Sequence, residues 1–175
     1  MTALDFVILD SIKKFFTCPF LNSFMPFVSF LGNSGAIWIL SGIILIFFPK
    51  YRKNGWFVLL SLLAGFIICN LTLKPLVARP RPCWIRPDVP LLISIPHDFS
   101  FPSGHTVSSF AAAESLRYAN RKLGVLAYIL AVLIAFSRLY LYVHFPSDVI
   151  VGAIIGFLCG HFVPLLLSKT KKHSA

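Results

Sequence analysis

Lys74, followed after six residues by Arg81-Pro82, then the run Pro102-Ser103-Gly104-His105, then Arg138, His144 and Asp148, sets cations, imidazoles and a carboxylate into an otherwise apolar chain. These residue types suit a phosphate site. Lys74 supplies a point charge, and the guanidinium forks of Arg81 and Arg138 match the geometry of phosphoryl oxygens. Ser103 and the Gly104 N–H add donors at a helix start, where the dipole also favours an anion. His105 and His144 can divide the work available to imidazole near neutral pH, one attacking phosphorus and the other protonating the departing oxygen. Asp148 decides between them. It lies four residues after His144, across Pro146, which opens a helix; its carboxylate can therefore hydrogen-bond one nitrogen of His144 and leave the other as nucleophile.

The elements that carry these residues must cross a membrane. Of 175 residues 57% are hydrophobic and 13% charged, with a mean hydropathy of +0.82, outside the globular range. A span takes about 20 mostly apolar residues, and the runs 34–48, 56–73, 123–137 and 148–167 approach that length. A fifth run, 106–116, is shorter. It suffices if its helix starts at the PSGH group and ends at 117–120, where side chains snorkel to the interface. The expectation is an all-α, polytopic bundle forming one membrane-embedded domain over residues 1–175, with five transmembrane helices in a core at 34–168.

Residues 1–32 are the ambiguous part. Phe6, Ile8, Leu9, Ile12, Phe15 and Phe16 recur at helical spacing against Asp5, Asp10, Lys13 and Lys14, the pattern of an interfacial helix. With acids inside the stretch, no basic leader and no small-residue cleavage site, it does not read as a removable signal peptide. The segment that follows is broken by Pro19, Pro26 and Gly32, and is either a short packed helix or part of a sixth span. The four cysteines show no metal-like spacing and read as structural; Cys18 and Cys83 fall outside the apolar runs.

Basic residues outnumber acidic ones by 16 to 6. They occur in short clusters between apolar runs, which is how topology is set, rather than as a nucleic-acid surface. Lys50, Arg52, Lys53, Arg117, Arg121, Lys122, Lys169, Lys171 and Lys172 gather on one side, which makes that side, and a basic tail over 169–175, cytoplasmic. The other side holds Lys13, Lys14, Lys74, Arg79, Arg81, Arg86 and Arg138 together with five of the six acids. This predicts a multi-pass protein of the plasma or inner membrane with the PSGH group on the outer face.

Lys74 with Arg81-Pro82 after six residues, PSGH, and Arg138 with His144 after five more residues and Asp148 after another three, in that order, resemble the type 2 phosphatidic acid phosphatase family, in its compact, loop-poor bacterial form. The resemblance covers all three of the family's motifs. It implies an all-helical bundle and a membrane lipid phosphatase in which His144 forms a phosphohistidine and His105 acts first as acid and then as base. It also implies that Lys74, Arg81, Ser103, Gly104 and Arg138 hold the phosphate, and that neither metal nor other cofactor takes part. The substrates it implies are undecaprenyl diphosphate, preferred because the site is expected to face outward, with phosphatidylglycerophosphate and phosphatidic acid as alternatives. The partners expected are then the lipid substrate and surrounding membrane lipids, with no nucleic acid.

Other readings compete residue by residue. Arg79 and Arg86 at the outer end of a span read as anchors, and His97 as a solvated loop residue. His161 reads as a packed polar group, and Glu114, nine positions beyond His105, as the partner of Arg117 and Arg121. Phe99, Phe101, Tyr140, Tyr142 and Phe145 suit either a substrate mouth or an interfacial belt. For the whole chain, an anion transporter needs the basic vestibule but not the His144–Asp148 couple, and a non-catalytic lipid-binding protein predicts phosphate binding without turnover.

Overall fold

The computed structural model describes residues 2–169; most of the expected basic tail lies outside them. Among the described residues all regular structure is helical: α1 (Thr2–Phe16), α2 (Pro19–Leu31), α3 (Ala36–Phe47), α4 (Arg52–Phe66), α5 (Lys74–Val77), α6 (Pro82–Ile85), α7 (Gly104–Ala119), α8 (Arg121–Tyr140) and α9 (Pro146–Lys169). α4 passes into α5 through a π-helical stretch, Ile67–Leu73. Three units are long and apolar enough to cross a membrane: Arg52–Ile85, Arg121–Tyr140 and Pro146–Ser168. Pro19–Leu31 and Asn33–Phe47, bent by 43° to each other, make a fourth if they act together.

α3 is shorter than its apolar run suggests. At 12 residues it is about 18 Å long, because the chain turns through left-handed backbone at Ser34 (φ 52) and Gly35 (φ 66) before the helix begins. Glycine takes that conformation without steric cost, and the turn points Asn33 at the cavity described below.

α7, which opens on the PSGH group, lies in the middle. It packs against α4, α8 and α9, and Val107, Ser109, Ala111, Ala112, Ala113 and Ser115 are all buried. Its shortness and modest hydropathy follow from this, since a helix enclosed by other helices does not need an apolar outer surface. Small side chains let its neighbours approach, and serines bond across to them: Trp38 Nε1 donates to Ser109 Oγ at 3.0 Å, and Ser115 Oγ to Ser61 Oγ at 2.9 Å.

On α9, Gly152, Gly156 and Gly160 form a ridge with four-residue spacing against α7. A Cβ at these positions would stand 3.0 Å from Ser103 O, 2.4 Å from Val107 O and 2.5 Å from Ala111 O. Such small-residue seams are how membrane helices reach close contact. At the far end of this seam Glu114 is buried and accepts from Arg117 (2.8 and 2.6 Å) and Tyr128 (2.8 Å), with His161 Nδ1 at 3.0 Å. Arg117 and His161 are as the sequence suggests; Arg121 is not among these partners.

α1 rests on the ends of α8 and α9. Of its charged residues Asp5 turns inward, buried with Leu9, whereas Asp10 and Lys14 stay exposed with the apolar Leu4, Val7 and Phe15. Cys83 is also buried, against Met25, Tyr140, Leu141 and Val143, because α6 folds its loop back onto the bundle. All four cysteines are free, and Cys18 is the exposed one.

Gly156→Ile should lower the thermal unfolding midpoint of the detergent-solubilised protein well below that of an Ile154→Leu control, whose side chain is exposed. Overpacking of this kind costs about 1–3 kcal/mol. Equal midpoints for the two variants would show that the seam tolerates a side chain.

Candidate active site

Helix ends deliver the polar side chains to one place. The π-helical turn, a device common at functional sites, sets Lys74 inward at the start of α5. Ala78 takes positive φ (45°) directly before Arg79, and Tyr142 does so (61°) two residues before His144. Each such residue costs about 1–3 kcal/mol and persists only where its surroundings hold it; here both turn a chain back toward the site. Lys74, Arg81, Gly104, His105, Arg138 and His144 line one cavity of about 1040 Å³. Asp148 stands behind His144, fully buried. Ser103 is buried too, but it is occupied elsewhere: its hydroxyl accepts from Thr106 Oγ1 at 3.0 Å and its N–H donates to Asp148 O at 3.1 Å. It does not line the cavity, because the start of α7 is pinned to α9 there.

His144 sits between two groups. Arg81 Nη1 lies 3.0 Å from Nε2 and also donates to Val143 O at 2.7 Å. On the other side Asp148 Oδ2 is 3.6 Å from Nδ1, an ion-pair distance but beyond a hydrogen bond. Ser100 fills the gap, donating to Asp148 Oδ2 at 2.5 Å with its Oγ 3.5 Å from His144 Nδ1. Burial, and after it the charges of Arg81, Arg138 and Lys74, hold the His144 pKa well below its usual value, so the ring is neutral near pH 7 and keeps a lone pair. His105 Nε2 lies 3.0 Å from Asn33 Oδ1. A Cβ on Gly32 would meet the His105 ring at 2.9 Å, so the bareness of Gly32 makes room for it.

Asp148 has a second set of partners that the sequence pattern does not reveal. Arg79, far from being an exposed anchor, is buried; its Nη1 donates to Asp148 Oδ1 at 2.5 Å and to Ser147 Oγ at 2.8 Å, and its Nη2 to Asp5 Oδ2 at 2.7 Å. Asp5 in turn accepts from Ser147 N at 3.1 Å and Ser147 Oγ at 2.9 Å. The guanidinium lies 4.0 Å from the Phe145 ring centroid. Asp5 is thus coupled to Asp148 through Arg79, and the helix before the motifs becomes part of the site. Arg86 likewise ties α1, donating to Asp10 and Tyr142 at 2.7 and 3.1 Å. The aromatic residues divide: Tyr140, Tyr142 and Phe145 pack in the core and form neither mouth nor belt. His97 is exposed, as expected.

The cations are unequally compensated. Lys74 and Arg81 share Asp98, Arg81 Nη2 donating to its Oδ1 at 2.7 Å and Lys74 pairing with its Oδ2. Arg138 Nη1 donates to Ser29 Oγ, and its buried Nε meets no acceptor among the described residues. The cavity therefore carries surplus positive charge beside the neutral His144. One wall is apolar, built from Phe30, Ile39, Leu59, Leu62, Leu63 and Phe66 of α2, α3 and α4.

The PAP2 superfamily profile matches residues 54–172. The chain belongs to that superfamily. It is 34% identical over 137 residues to an undecaprenyl-diphosphatase of Sulfolobus acidocaldarius, a match covering 78% of this chain and 66%, just under two thirds, of that protein. To the undecaprenyl-diphosphatase BcrC of Bacillus subtilis it is 33% identical over 150 residues, covering 83% and 77% of the two chains. The crystal structure of Aquifex aeolicus LpxE superposes with a TM-score of 0.81 at 31% identity, over 92% of this chain and 94% of that one. As a PAP2 member, the protein is a membrane phosphatase with the all-helical fold of that superfamily.

Removing Arg79 as Arg79→Met leaves Asp5 and Asp148 as buried carboxylates without their cation, and breaking such a pair costs about 3–5 kcal/mol. Arg86→Met, at a solvent-exposed pair, should shift unfolding far less. Chemical denaturation of both variants in detergent measures the difference, and equal shifts would mean that Arg79 is not the tie described.

Proposed function

We propose that this PAP2 phosphatase removes the terminal phosphate of a polyprenyl diphosphate, undecaprenyl diphosphate in the first place, at the outer face of a plasma or inner membrane. What carries the reading is the cavity: a neutral imidazole among incompletely compensated cations, continuous with an apolar wall on which Phe30, Ile39, Leu63 and Phe66 are also exposed at the protein surface. A phosphorylated head group and an apolar tail fit these two parts. The undecaprenyl-diphosphatase names of two relatives support the choice of lipid.

In this reading Lys74, Arg81, Arg138 and the Gly104 N–H hold the phosphoryl oxygens. Arg81 turns from His144 Nε2 to the phosphate, which frees the lone pair. Nε2 attacks the terminal phosphorus, the bond to the bridging oxygen breaks, and His105 protonates the leaving polyprenyl phosphate. His105 then takes a proton from water as its oxygen attacks the phosphohistidine; the P–N bond breaks and inorganic phosphate leaves. Asp148, directly and through Ser100, steadies the His144 ring and its cationic form. Ser103 contributes by anchoring the start of α7 rather than through its hydroxyl. No step calls for a metal.

The protein purified in detergent should release phosphate from undecaprenyl diphosphate faster than from phosphatidylglycerophosphate or phosphatidic acid; a reversed order would move the substrate assignment to the faster lipid. His144→Ala should lower kcat at least a thousandfold without loss of fold, and normal hydrolysis by that variant would falsify the nucleophile. Activity should persist in excess EDTA and be inhibited by vanadate, which adopts the five-coordinate geometry of phosphoryl transfer.

Sidedness, with five spans as the working topology, can be read on Cys18, the exposed native thiol. An impermeant thiol reagent applied to intact cells should label it, and Cys18→Ser should abolish the signal. A cysteine placed by Lys50→Cys in the Cys18→Ser background should react only after lysis; labelling in sealed cells would invert the topology.

A further inference from the structure

The cation pair that would hold substrate phosphate already holds an anion of the protein's own. Asp98, in the loop between α6 and α7, lines the cavity. Its Oδ1 accepts from Arg81 Nη2 at 2.7 Å and its Oδ2 pairs with Lys74. The two cations are 2% and 8% exposed, whereas the Asp98 side chain is 52% exposed. Partial burial alone would raise its pKa, but hydrogen bonds and charge from Lys74 and Arg81 bring it down to about 2, so it stays ionised throughout the working range.

Asp98 differs from the other acids near the site. Asp5 and Asp148 are buried and tied by donors from several elements, and Asp10 is bound to Arg86 and Tyr142. Asp98 alone, among the described residues, puts its carboxylate on Lys74 and Arg81. Its main chain is held separately: Arg81 Nε donates to Asp98 O at 2.7 Å, Ser100 N to Arg79 O at 2.8 Å, and Trp84 Nε1 to Pro96 O at 3.1 Å. Rotation about the side-chain bonds can therefore vacate the cations while the loop keeps its place.

We propose that Asp98 is a resident competitor for the phosphate site, setting the affinity threshold that an incoming anion must exceed and helping to expel inorganic phosphate after turnover. This rests on Lys74 and Arg81 binding phosphate as proposed above. A ligand's apparent dissociation constant equals its intrinsic one divided by the fraction of protein in the vacated form. Were about one molecule in ten vacated, every anion would bind about tenfold more weakly. The factor is common to all ligands, but its effect on occupancy is not. A tightly held dianionic terminal phosphate still fills the site, whereas the weakly held phosphodiester head groups of bulk lipid fall below occupancy.

The test is calorimetric titration of the full-length protein in detergent with inorganic phosphate and with dimethyl phosphate, a phosphodiester probe. Asp98→Asn and Asp98→Ala should each bind both probes about tenfold more tightly than the native protein, and inhibition of lipid hydrolysis by inorganic phosphate should strengthen by a similar factor. A merely structural role for Asp98 would weaken binding. Unchanged or weaker phosphate binding in both variants overturns the proposal. Because binding is read without turnover, a native protein that binds phosphate but hydrolyses no lipid phosphate would sink the function proposed above, while the titration would still decide the role of Asp98.

Discussion

Taking an ammonium or guanidinium out of water costs several kcal/mol unless anions and acceptors replace the lost solvation, and this fold buries Lys74, Arg79, Arg81 and Arg138 at one end of its bundle. Each is met differently. Arg79 has two buried carboxylates and a hydroxyl; Arg81 has three main-chain carbonyls, the His144 ring and half a share in Asp98; Lys74 has the other half; Arg138 has a serine hydroxyl and one idle donor. Compensation thus falls from the α1 side toward the cavity. Arg79 at the back is neutralised, and the three cations at the front keep unspent charge where an anion can reach them.

That gradient needs a stiff frame, and α7 supplies it. Helices enclose it on several sides, with alanines and serines where larger residues would push its neighbours apart. The α9 glycines bring backbone against backbone, and the N–H of Ser103 joins the start of α7 to Asp148 O. His105 at one end of α7 and Glu114 nearer the other are therefore fixed by the same packing. The Glu114 cluster holds α7, α8 and α9 together away from the chemistry, and the bonds of Ser103 and Ser100 to Asp148 hold the start of α7 to α9 beside it.

α1 changes what counts as the site. Asp5 lies far from the motifs in the chain, yet it supplies half the counter-charge of Arg79, which in turn grips Asp148. Its periodicity suggests an interfacial helix with its charges toward water. Asp10 and Lys14 do stay exposed, but Asp5 turns inward because a buried guanidinium at the α8–α9 end offers it more than solvent does. The exposed apolar residues of α1 then face away from the protein.

Much was legible in the sequence because it depends on residue type and short spacing. Hydropathy gave the membrane class; the apolar runs gave most of the helices; PSGH gave the start of α7; and residue type and order gave the cations and histidines that meet in the cavity. What only tertiary structure decided involves residues many positions apart whose pairing leaves no periodic trace. Arg79 joined Asp148 and Asp5 instead of the membrane surface, Ser100 entered between His144 and Asp148, Asn33 reached His105, Ser103 turned away from the cavity, and Asp98 settled on Lys74 and Arg81. A local pattern can say that an arginine stands at a helix end. Whether it faces lipid, water or a carboxylate depends on which other helices close around that end, and that is set by packing over the whole chain.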